Sequence, residues 1–128
     1  MPLVRVALRE GKSPAYLTAV GESIHRAMVE TINVPADDRF QIFTVHSEET
    51  LVCDVEYLGV KRSDDILLIQ ITLNAGRTLE QKRALYRALA DRLAKDPGLR
   101  REDVLVSLVE VPKENWSFGN GEASYARD

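Results

Sequence analysis

The sequence predicts an α/β (α+β) fold: two β-α-β units in tandem, giving a four-stranded mixed sheet with two helices on one face. Three observations predict it. Strand-like runs alternate with amphipathic helical stripes in the order β-α-β, twice. The two halves align without gaps at an offset of 65 residues. Each half also carries the same glycine-basic-hydroxyl turn, Gly11-Lys12-Ser13 in the first and Gly76-Arg77-Thr78 in the second.

The first strand reads from Leu3 to Leu8. Ser13 is then suited to cap a helix with Pro14 at its first position. Leu17, Val20, Ile24, Met28 and Ile32 form one apolar stripe, and Asn33 and Pro35 end it. Phe40 to Val45 reads as the second strand. Residues 47–65 are polar and irregular. The pattern restarts at Ile66 to Leu73, an almost continuous apolar run of the kind found in strands buried on both faces. Thr78 and Gln81 form a capping-box pair, and Leu85, Leu89 and Leu93 carry the second helical stripe up to the stop at Asp96-Pro97-Gly98. Val104 to Val111 is the fourth strand. Residues 1–128 are thus expected to form one domain, with repeats at about 2–46 and 66–111. Helices on one side leave the other sheet face bare, and a second copy of the chain is its simplest cover.

Composition excludes several classes. The net charge is −3 with both signs interspersed, and no basic stripe points to nucleic acid. No apolar run approaches a membrane span, and no secretory signal opens the chain, so a cytoplasmic location is expected. One cysteine and two histidines make a dedicated metal site an unpromising expectation. Gly11-Lys12-Ser13 lacks the earlier glycine of a phosphate-binding loop, because Val6 stands there.

Pro2 stands directly behind the initiator methionine, at the mouth of the first strand. Removal of Met1 leaves it a free secondary amine. An α-amino group titrates near pH 8, far below lysine, so burial or a nearby carboxylate tunes it as an acid or a base near neutrality. A Met-Pro start also occurs with no chemical consequence.

Pro2 at the head of a duplicated β-α-β chain, with "VPADDRFQI", "RSDD", "AGRTLEQK" and "WSFGNGEASY" following in order, resembles the malonate semialdehyde decarboxylase-like branch of the tautomerase superfamily. The resemblance implies a homotrimer and an enzyme that needs no cofactor. It implies Pro2 as the catalytic amine and Asp38 as the aspartate acting beside it. Arg77 is implied as the catalytic and substrate-binding arginine, and Trp116, Phe118 and Tyr125 as an apolar wall. Gln41 and His46 lie on the second strand, and Gln41 is taken as a further substrate contact. The turn Asn74-Ala75-Gly76-Arg77 holds one arginine where the decarboxylase pattern has two, separated by one residue. The implied reaction is decarboxylation of a small 3-oxo acid. Keto-enol tautomerisation of a 2-oxo acid, hydration of an unsaturated acid, and a non-catalytic trimeric binding protein are the alternatives.

Other candidates carry simpler readings. Asp38 and its repeat counterpart Asp103 both suit turns ahead of a strand. His46 reads as a satisfied structural histidine, His25 as an exposed helix residue, and Arg39 and Arg62 as ion-pair partners. Cys53 has no histidine partner visible nearby.

Overall fold

The computed structural model describes residues 2–125. Its main elements are β1 (Leu3–Arg9), α1 (Pro14–Thr31), β2 (Gln41–His46), β3 (Glu56–Tyr57), β4 (Val60–Lys61), β5 (Leu67–Asn74), α2 (Leu79–Lys95) and β6 (Val104–Val111). Local chemistry sets the helix starts. Ser13 Oγ accepts from the Tyr16 N–H at 3.1 Å, and Thr78 and Gln81 close a complete capping box. The glycines of the two equivalent turns, Gly11 (φ +110°) and Gly76 (φ +125°), adopt backbone that a side chain would strain.

The principal sheet has the order β2-β1-β5-β6. Within each half the strands are parallel, as β-α-β crossovers require. The halves meet through an antiparallel β1–β5 pair, with Leu3 opposite Thr72 and Leu8 opposite Leu67. Val4, Val6 and Leu8 of β1 and Leu67, Ile69, Ile71 and Leu73 of β5 point to the helices. They close one core with Val20, Ile24 and Met28 of α1 and Leu85, Leu89 and Leu93 of α2. Ser23 Oγ donates to the Asp96 carbonyl at 2.7 Å, tying α1 to the end of α2.

Two features depart from the sequence reading. β5 is not apolar on both faces: its second face reads Leu68, Gln70, Thr72, and Gln70 is exposed. The opposite sheet face is therefore mixed, with Leu3, Ala7, Ile42, Leu105 and Val109 around Arg5, Gln70 and Ser107. The irregular segment also contains a hairpin, β3–β4, whose turn residues Leu58 and Gly59 both have positive φ.

Asp103 is a structural aspartate. It is fully buried and accepts from the Ser63 N–H at 2.7 Å and the Ser63 hydroxyl at 2.6 Å. Asp103→Ala removes a charged acceptor and strands the Ser63 amide, so it should cost about 3 kcal/mol. Urea unfolding monitored by circular dichroism measures the loss.

Candidate active site

The strand register defines the site. Continuing the antiparallel β1–β5 pairing by one residue sets Pro2 opposite Leu73, next to the last residue of β5. Continuing the parallel β1–β2 pairing sets Pro2 beside Arg39, and the Val4 N–H donates to the Phe40 carbonyl at 3.0 Å. One end of the sheet therefore gathers the start of β1, the approach to β2 and the turn leaving β5. Pro2 is buried there.

Asp38 ends a turn in which its own N–H donates to the Pro35 carbonyl at 3.0 Å. Its side chain is half-buried, with Oδ1 shut off from solvent. Arg77 is held by two neutral carbonyls: Nη1 donates to Asn74 O and Nη2 to Ile32 O, each at 3.1 Å. Ile32 caps the C-terminus of α1, so the guanidinium also meets the negative end of that helix. Among the described residues Arg77 makes no ion pair. Its charge is placed but not spent.

Asn74 was not legible as a site residue in the sequence. It is buried, and its Oδ1 accepts from Trp116 Nε1 at 2.8 Å. That bond docks the C-terminal segment on the turn carrying Arg77. Trp116 stacks on Phe118 with ring centroids 5.6 Å apart, and Tyr125 meets Phe118 edge-on at 5.3 Å. Lys113 Nζ lies 5.8 Å from the Tyr125 ring centroid. Arg77, Lys113, Asn74, Asn33 and Gln81 line an open hollow of about 370 Å³ with no carboxylate in its wall. Glu110 lies close by, donated to by the Gly76 N–H, but the Lys82 ammonium holds its carboxyl below the usual range and takes up its charge.

The other end of the β1–β5 pair offers a comparison. There Arg9, Glu10, Gly11, Lys12 and Glu48, the repeat counterparts of Asn74, Ala75, Gly76, Arg77 and Lys113, line a hollow of about 470 Å³. Glu49, Asp64 and Asp65 make that wall acidic. Lys12 is bound to Asp65 at 2.5 Å, which raises the ammonium above its ordinary value. Asp103 is committed to Ser63. Leu67 occupies the position of Pro2. The same scaffold thus has one end whose hollow carries Arg77 and Lys113 and one end whose cations are paired with carboxylates. Pro2, Asp38, Trp116, Phe118 and Tyr125 do not line the first hollow, which Trp116 reaches only through its bond to Asn74.

Gln41 and His25 depart from expectation, while His46 and Arg39 match it. Gln41 does not face the hollow: its Nε2 donates to the Gly21 carbonyl at 2.8 Å, pinning β2 to α1. His46 pairs with Thr50 Oγ1 at 3.1 Å at the far end of β2, beside Arg9. His25 is not exposed. It is 4% accessible, and its Nε2 donates to Ala36 O at 2.8 Å. Helical spacing alone placed it beside the apolar stripe, and the loop that closes over it has no sequence signal. Arg39 pairs with Glu22 at 2.7 Å. Among the described residues no cluster of histidine, cysteine and acidic groups is arranged to hold a metal, and no helix is long and apolar enough to cross a membrane.

Comparison with known proteins gives the class. A tautomerase enzyme family model matches residues 38–119, and a second matches residues 2–61. "Probable tautomerase YusQ" of Bacillus subtilis strain 168 is 44% identical, covering 96% of this chain and 97% of that protein. The chain belongs to the tautomerase superfamily and is an enzyme of that class. Within it the chain resembles the malonate semialdehyde decarboxylase branch. The FG41 malonate semialdehyde decarboxylase inhibited by 3-bromopropiolate superposes with a TM-score of 0.89 at 35% identity, covering 96% of this chain and 93% of that one. A fused 4-OT solved as a symmetric trimer superposes with a TM-score of 0.78 at 28% identity, covering 97% of each chain.

Proposed function

We propose that the enzyme decarboxylates a small 3-oxo acid of the malonate semialdehyde kind, using the amine of Pro2. The observation that carries this reading is the contrast between the two ends of the sheet: only the Pro2 end keeps an unspent arginine in a wall without carboxylates.

Arg77 binds the substrate carboxylate, with Lys113 as a second cation at the rim in place of a second arginine. Asp38 stabilises the protonated form of the Pro2 amine, since a carboxylate nearby favours the cation. The Pro2 ammonium donates to the substrate's carbonyl oxygen. The bond to the carboxylate carbon then breaks, its electron pair moves to that oxygen through the enol, and carbon dioxide leaves. The enol regains a proton at carbon. Charge building on the oxygen is stabilised by the fixed cation. Trp116, Phe118 and Tyr125 exclude water from the leaving carboxylate.

A second reading uses the same groups with Pro2 neutral, as a base that moves a proton beside a 2-oxo acid's carbonyl. The similarity to YusQ favours it. A panel of 3-oxo, 2-oxo and acetylenic acids separates the readings, followed by carbon dioxide release, enol absorbance and hydration product. Decarboxylation should dominate; enol formation without carbon dioxide release selects the second reading. Pro2→Ala should lower kcat about a hundredfold or more. Arg77→Ala should lower kcat/KM by about a hundredfold, chiefly through KM, from lost charge-assisted bonds.

Three copies assembling through the mixed sheet face would cover Leu3, Ile42, Leu105 and Val109. The symmetric trimer of the fused 4-OT supports this arrangement. Analytical ultracentrifugation should give about three times the chain mass, and a monomer at micromolar concentration rules the arrangement out.

A further inference from the structure

We propose that His25 is a positioning residue for Asp38: by holding the Ala36 carbonyl from inside helix α1, it sets where the Asp38 carboxylate stands. This inference rests on the Pro2–Asp38 reading above.

The segment between α1 and β2 runs back along α1 and is fastened to it at successive turns. The Val34 N–H reaches the Met28 carbonyl at 3.5 Å, Ala36 O accepts from His25, Arg39 pairs with Glu22, and Gln41 donates to Gly21 O. Positions 28, 25, 22 and 21 share one side of the helix. These fastenings are not equal. The Val34 contact is at the limit of hydrogen-bond length. The Arg39–Glu22 pair is exposed and salt-screened, and Glu22 is shared with Arg26 at 2.6 Å. Gln41 lies beyond the loop, within β2. The His25–Ala36 bond is short, comes from a ring only 4% accessible, and falls in the middle of the Pro35–Asp38 turn. It comes from a buried side chain and falls two residues before Asp38.

The ring is costly for any other purpose. A carbonyl oxygen only accepts, so Nε2 carries the hydrogen. Nδ1 is then enclosed and has no partner among the described residues. A buried polar atom left unpaired costs free energy that an aliphatic side chain beside Ile24 and Met28 would avoid. What histidine adds at this position is one N–H at Nε2, aimed at the loop that carries Asp38. The interaction between the carboxylate and an adjacent amine varies steeply with distance, so a loosened turn weakens it.

The test compares His25→Leu, which packs without a donor, with His25→Gln, whose terminal N–H replaces Nε2–H, and with Asp38→Asn. For each, kcat, KM, thermal stability and the titration of the Pro2 nitrogen by ¹⁵N NMR are measured. His25→Leu should lower kcat about tenfold with KM unchanged. It should move the Pro2 titration down by about one unit toward that of Asp38→Asn. His25→Gln should restore both. If Asp38→Asn shifts Pro2 but His25→Leu leaves kcat and the Pro2 titration as in wild type, His25 is a packing residue and the inference fails. If Asp38→Asn itself leaves Pro2 unshifted, the Pro2–Asp38 reading fails and the inference falls with it. Should His25→Leu not fold, His25→Asn replaces it. Its donor sits at the Nδ1 position and cannot reach Ala36, so it should behave as Leu does; wild-type kcat and Pro2 titration in it overturn the inference.

Discussion

The antiparallel pairing of β1 with β5 is the constraint on which the rest depends. Parallel strands would have put both strand starts at one end of the sheet. The antiparallel register instead brings the first residues of β1 against the last residues of β5. Pro2 thereby stands against the turn that follows a buried strand, where open α/β sheets place their sites. The parallel pairing of β1 with β2 adds the loop carrying Asp38 to the same end.

Duplication makes both ends of this pair alike in shape, and the side chains make them unlike in charge. At one end Arg77 is gripped by carbonyls that orient it without neutralising it. At the other, Lys12 is gripped by Asp65, and Asp103 by Ser63. A chain has one N-terminus, so only one end can offer a free amine. The other end has its polar groups bound to each other, which turns site residues into structural ones. The paired aspartates occupy matching turns: Asp103 is bound to Ser63, while Asp38 stands in the loop that the parallel pairing brings to the start of β1.

Much of this was legible in the sequence because it is local or periodic. The helix caps at Ser13 and Thr78, the apolar stripes and the repeated Gly11 and Gly76 turns are decided by neighbours within a few residues. The 65-residue offset matched the two turns, and the family resemblance singled out Arg77 in the second of them. What escaped depends on contacts between distant segments. Asn74 reads as a turn residue until Trp116 is docked on it. His25 reads as a surface residue until the Ala36 loop folds over it. Gln41 sits in the right place on β2 but is captured by a glycine carbonyl of α1, which no pattern within β2 reveals. The second face of β5 reads as apolar in the sequence because a short apolar run hides Gln70 and Thr72 on alternate positions.

The proposed chemistry depends on a covalent fact at the head of β1, the removal of Met1. N-terminal sequencing and intact mass of the active enzyme from its native cells test it most directly. The predicted result is a chain that begins at Pro2 with an unmodified amine. A fully active enzyme that keeps Met1, and so holds Pro2 nitrogen as an amide, would contradict it.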